Sequence, residues 1–261
     1  MGKVITINYK EKFYIKENET LESIRVMRIN KEKVSIKTTV ALIRKTDEYS
    51  KYKIEYFRKT NVDAMYDGKP INYIFRRYNT YAFVEDKNKY VLTVGNVKGI
   101  ISRQSFDKLK KDTDIKCNPV KVDLLKAIEL LISSDSSITI DSGWFSNLGT
   151  NLSNAWLQGR KVNDNSDWER FKKTKGSKLK NIELRIEDDS EDEGYIKVSI
   201  SSRGFLFTKK QLSDEKCLQI TKKILRYIES CITIEDNVAD DEELEKEDEV
   251  ASTIERVADN T

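Results

Sequence analysis

Thr80–Val94, T-Y-A-F-V-E-D-K-N-K-Y-V-L-T-V, decides how the chain is read. Two runs rich in β-branched and aromatic residues, Tyr81-Ala82-Phe83-Val84 and Tyr90-Val91-Leu92-Thr93-Val94, flank the polar turn Asp86-Lys87-Asn88-Lys89. Paired runs of this kind around a short polar turn are the signature of a β-hairpin.

Upstream the same texture continues. Val4–Tyr9, Lys12–Ile15, Ile24–Ile29, Val34–Ile43 and Tyr52–Phe57 read as strands, and Asp67-Gly68-Lys69-Pro70 as a turn. Downstream, Ile100, Ile101, Phe106 and Leu109 fall near helical spacing. Asp112–Pro119 is polar and contains one of only two prolines, so a domain boundary is expected there. Val122–Ile132 reads as a helix with Leu124, Leu125, Ile128, Leu131 and Ile132 on one face. Ser137–Ile140 reads as a short strand and Gly143–Arg160 as loop. Leu179–Glu187 and Gly194–Ser201 read as paired strands around an acidic turn, with Phe205–Phe207 as a third strand. Ser213 is placed as the N-cap of a helix reaching Cys231, with Asp214 and Glu215 in its first turn.

The expected architecture is α+β. A β-rich domain, 1–116, ends in a helix. A smaller mixed α+β domain, 117–233, follows. The last segment, 234–261, is an acidic tail expected to be disordered. From Glu235 onward there are 12 acids and two cations, a charge of −10. The whole chain is +3, which leaves +13 on the body. A basic body with an acidic tail points to a polyanion-binding surface and a segment able to compete for it.

Composition narrows the chemistry. The chain has no histidine. Ser-His-Asp and Cys-His catalysis and histidine-ligated zinc are therefore excluded. Cys117, Cys217 and Cys231 are far apart and form no CxxC pair, so they are read as buried thiols, and no cofactor or metal is expected. No apolar run is long enough to span a membrane, and the N-terminus lacks signal-peptide features; a cytoplasmic protein with no membrane partner is expected. The abundance of Lys, Ile, Asn and Glu suggests an AT-rich coding genome, of a bacterium, phage or plasmid, with phage defence or a mobile element as the setting.

Motif by motif, catalytic readings fail. Gly95-Asn96-Val97-Lys98-Gly99 is not a phosphate-loop motif and is read as a strand-to-helix turn. Asp188–Glu193 fails the register of a calcium loop and is read as a solvated hairpin turn. Asp141 with Glu183-Leu184-Arg185 approaches a carboxylate–lysine nuclease pattern, but Arg185 stands where lysine is needed.

The positive signal is basic and aromatic. Tyr52–Lys59 and Tyr73–Tyr78 interleave rings with cations, and a third basic region runs through Arg160–Lys180. Arg58, Lys59, Arg76, Arg77, Arg170, Lys172, Lys173, Lys175 and Lys178 are the candidate contacts to DNA or RNA phosphates. The competing reading is that of strands with cations on the wet face and rings on the dry one. Trp144 and Trp156, with Trp168, are either the core of the second domain or a partner-binding surface. The sequence thus points to a non-enzymatic nucleic-acid-binding accessory protein, with a tail that restrains binding or docks a protein partner. An adaptor subunit is the alternative, and a metal-dependent nuclease is the least favoured reading.

Overall fold

A computed structural model of the chain describes residues 2–29, 32–95 and 98–235. The acidic tail from Asp236 and the centre of the Gly95–Gly99 turn lie outside the described residues. The fold is mostly antiparallel sheet with four α-helices among the described residues, a mixed α+β arrangement. The residues fall into two compact units, one of residues 9–118 and one of residues 2–8 with 119–235.

The first unit is built on β2 (Thr20–Ile29), β3 (Glu32–Lys45), β4 (Ser50–Tyr66), β5 (Lys69–Val84) and β6 (Tyr90–Gly95), paired in that order. The Thr80–Val94 hairpin forms as expected, with Tyr81 opposite Val94 and Val84 opposite Val91. Its strands are not amphipathic, however, because Ala82, Phe83, Val84 and Tyr90 to Val94 are all buried. The helix α1 (Gly99–Asp112) lies on one face of this sheet. Its Phe106 and Leu109 join Val40, Ile54, Ala82, Val91 and Ile115 in the core.

Some expectations fail here for identifiable reasons. Lys12–Ile15 is not a second strand. The strand β1 (Lys3–Lys12) stops at Lys12, and Phe13 and Ile15 leave it to pack on the core. Phe13 meets Tyr52 with ring centroids 4.9 Å apart, so apolar content there reflects burial rather than strand. Tyr52–Phe57 is only the base of β4, which runs on to Tyr66. Among the described residues, no third strand pairs with β4 beyond Glu55 or with β5 before Tyr81. They form a two-stranded ribbon that closes at Asp67-Gly68, whose φ values are 49° and 69°. Positive φ at both central residues is the two-residue hairpin turn whose twist matches the flanking strands, and Asp-Gly is well suited to it.

The second unit pairs the start of β1 with β12 (Phe205–Thr208), then β11 (Tyr195–Ser201), β10 (Lys178–Glu187), β8 (Ile138–Ser146) and β9 (Asn154–Gln158). The β10–β11 hairpin forms around its acidic turn, Glu187 opposite Tyr195. Helices α2 (Leu124–Ser134) and α4 (Asp214–Ile228) pack against each other, and α2 against β8 and β10. Ser213 caps α4, its hydroxyl accepting from the Lys216 N–H at 3.1 Å. Asp112–Pro119 is not simply a polar connection: β7 (Lys116–Val122) occupies its second half and pairs with β13 (Ile232–Ile234). The Pro119 carbonyl accepts the Glu235 N–H at 2.9 Å.

The Gly143–Arg160 loop expectation is also overturned. Strand β8 continues to Ser146 and β9 pairs with it, Ser142 opposite Gln158 and Ser146 opposite Asn154. Gly143 lies within β8, and its role is packing. The ring of Trp168, on helix α3 (Ser166–Lys173), lies so close that a Cβ at Gly143 would sit 2.3 Å from it.

Candidate nucleic-acid interface

The β4–β5 ribbon gathers four of the candidate cations into three adjacent rungs. Phe57 faces Arg77, Arg58 faces Arg76, and Lys59 faces Phe75. Side chains alternate across a strand, so Arg58 and Arg76 share one face while Lys59 and Arg77 share the other. Like charges directly opposite each other are unfavourable as a pair, and Arg58 has a further partner of its own. From Phe57 to Arg77 there are five cations, Arg58, Lys59, Lys69, Arg76 and Arg77, against two acids, Asp63 and Asp67. Lys59, Lys69 and Arg76 enter no ion pair among the described residues. Arg77 lies 3.9 Å from Glu55, a loose contact with a guanidinium that is 62% exposed.

The odd-numbered face has a regular texture. Along β5 it carries Tyr73, Phe75, Arg77, Asn79, Tyr81 and Phe83; across from them stand Asn61, Lys59, Phe57, Glu55, Lys53 and Lys51. The Lys59 ammonium sits 4.2 Å from the Tyr73 ring centroid, and Lys51 4.6 Å from that of Tyr81. On the even-numbered face, Tyr56 packs with Ile100 and Ile101 of α1, and Tyr78 beside them. The ribbon is thus anchored at its base. A bulge between Asn61 and Ala64 increases its twist toward the tip.

The third basic region behaves differently. Arg170, Lys172 and Lys173 lie on α3 in the second unit, and each is held by an acid. Arg170 pairs with Asp167 at 3.0 Å, Lys172 with Glu129 at 3.1 Å, and Lys173 with Glu169 at 3.6 Å. Lys175 follows the helix, and Lys178 opens β10; both are exposed or partly so. The sequence count of cations did not show that acids three and four residues away, or on α2, would neutralise them.

The tryptophans divide. Trp168 is 3% exposed and meets Phe145 edge-on at 4.9 Å, so it belongs to the core. Trp144 and Trp156 are cross-strand neighbours on β8 and β9, each half-buried, with β9 at the edge of its sheet.

Asp141 and Glu183, placed together in the carboxylate–lysine pattern, do converge, on a lysine that the pattern did not include. The lysine comes from the neighbouring strand rather than from the Arg185 position. Lys197 of β11 places its ammonium 3.1 Å from Asp141 and 3.1 Å from Glu183. The Arg185 Nε–H donates to Asp141 at 2.9 Å. In the β10–β11 register Arg185 stands opposite Lys197. Burial works against the Lys197 ammonium, yet Glu183 and then Asp141 hold its pKa above the ordinary value. A lysine so held favours its charged form. Two cations balance the two carboxylates, and no group of three or more Cys, Asp or Glu arranged for a metal ion occurs among the described residues.

All three thiols are buried, and none is in a disulfide. Burial pushes Cys117 up to about 12 and Cys217 up to about 11, which suppresses thiolate chemistry. No helix among the described residues is long and apolar enough to cross a membrane. Compared with models of known protein families, with curated proteins and with solved structures, the chain matches none.

Proposed function

We propose that the chain is a non-enzymatic, cytoplasmic nucleic-acid-binding accessory protein whose contact surface is the β4–β5 ribbon. One observation carries the reading: Arg58, Lys59, Arg76 and Arg77 occupy three consecutive rungs of a two-stranded ribbon with few acids. A phosphate placed on these rungs meets several cations at once and releases their counterions. In this reading the β-rich domain of residues 1–116 carries the surface. The acidic tail of residues 234–261 competes for the ribbon when nucleic acid is absent.

The test is a salt titration of binding to labelled DNA and RNA by three proteins: the full chain, the chain ended at Glu235, and the ended chain carrying Arg76→Glu and Arg77→Glu. Ending the chain should tighten non-specific binding and steepen its salt dependence, and the reversals should undo the gain. Unchanged binding on truncation removes the competing tail. No binding by any of the three at low salt removes the nucleic-acid reading. An adaptor would then take its place, a reading favoured by the Trp144–Trp156 pair beside an open sheet edge.

A further inference from the structure

We infer that the ribbon takes single-stranded nucleic acid, through base stacking on its odd-numbered face. This rests on the nucleic-acid reading above and adds the class of ligand. The argument begins with what each ligand offers. A duplex presents base edges in its grooves, which are read by hydrogen-bonding side chains. An unpaired strand presents base faces, which stack on aromatic rings.

The odd-numbered face is built for the second. Phe57, Tyr73, Phe75 and Tyr81 are half-buried, and Lys51, Lys53, Lys59 and Arg77 stand between them. The Lys59 ammonium lies over the Tyr73 ring and the Lys51 ammonium over that of Tyr81. A base that stacks on either ring displaces the lysine from that face, and the displaced ammonium is then within reach of the nucleotide's phosphate. Successive rungs on one face are separated by about 6.6 Å, twice the strand rise per residue. That is about twice the 3.4 Å axial rise from one nucleotide to the next in a stacked strand. A strand drawn along the ribbon with one nucleotide per rung therefore has its bases pulled apart and open to the rings. The only acid on this stretch of the face is Glu55, which sits between Lys53 and Arg77 at 3.8 and 3.9 Å.

The experiment uses the full chain and four labelled probes of equal length: oligo-dT, oligo-U, a mixed-sequence DNA duplex, and an abasic strand with the same phosphate count. Binding is compared for wild type, Tyr73→Ala with Phe75→Ala, and Arg76→Glu with Arg77→Glu. Folding of each is checked by circular dichroism, and Tyr73→Leu with Phe75→Leu serves as a second variant that keeps apolar bulk. Expected for wild type is at least tenfold tighter binding of the unpaired probes than of the duplex or the abasic strand. The ring variants should lose tenfold or more on oligo-dT and oligo-U, keep the salt slope, and leave duplex and abasic binding unchanged. The charge reversals should weaken all four probes. Equal or tighter duplex binding, or an abasic strand bound as well as oligo-dT, overturns the inference while leaving the nucleic-acid reading intact. No binding of any probe overturns both.

Discussion

The β4–β5 ribbon and helix α3 are both rich in cations, five from Phe57 to Arg77 and three on α3, yet they present them differently. On α3, Arg170, Lys172 and Lys173 each meet an acid, and the helix surface is close to neutral. On the ribbon, Lys59, Lys69 and Arg76 meet none among the described residues, and Arg58 faces Arg76 across the strands. A helix brings residues three and four apart onto one face, so its acids and bases find each other locally. A ribbon sets neighbours by register, and here register opposes like to like. Charge composition is therefore a poor guide to a binding surface until the pairing of the charges is known.

The largest expected effect separates the two regions directly. Reversing Arg76 and Arg77 to Glu should weaken nucleic-acid binding about 30- to 100-fold near 150 mM salt, if each arginine neutralises about one phosphate. Reversing Arg170 and Lys172 should change it less than about threefold, because those cations are already engaged. Fluorescence anisotropy on both double variants decides the matter; equal losses would erase the distinction.

Next in size is an acid response in the second unit, where ion pairs dominate. Burial alone would raise the Asp135 pKa, but hydrogen bonds from Ser137 and Lys223 outweigh it and bring it down to about 2. Hydrogen bonds from Lys216 and Ser190 bring Asp188 down to about 2 as well. Both lie below the unfolded value of about 3.9. Their stabilisation is complete above about pH 4 and is lost as pH falls toward 2. Urea midpoints between pH 5 and 2 should show this, and Asp135→Asn with Asp188→Asn should flatten the fall. An undiminished slope in the double variant would show that other carboxylates carry it.

A smaller effect opposes stability to binding on the ribbon itself. Arg76→Gln should weaken binding several-fold yet raise stability by a few tenths of a kcal/mol, by relieving the Arg58–Arg76 opposition. Thermal melts of the variant measure it, and a loss of stability would mean that Arg76 contributes a contact worth more than that repulsion. Smallest of all, Lys172→Ala should cost less than about 1 kcal/mol, as expected for a pair whose acid, Glu129, is largely exposed. A larger loss in urea titration would make the Glu129 contact a structural tie between α2 and α3.

Local chemistry made much of the fold legible in sequence. The Thr80–Val94 hairpin, the Leu179–Ser201 pair, helix α1 and the Ser213 cap all follow from periodicity, turn residues and capping, which act over a few neighbours. The identity of the ribbon residues was also visible, as rings interleaved with cations. Three things were not visible. Gly143 is explained only by the Trp168 ring that covers it, and Trp168 is 25 residues away. The Asp141–Glu183–Lys197 cluster needs three strands brought side by side. The ribbon's length depends on where β3 and β6 stop pairing, since nothing inside β4 or β5 marks that point. Sequence by itself determined which residues are strand, helix and turn formers, and the charge they carry. Tertiary structure alone decided the pairings that reach beyond a helical turn, such as Lys172 with Glu129 and Lys197 with Asp141, because they depend on distances of a few ångströms between residues far apart in the chain.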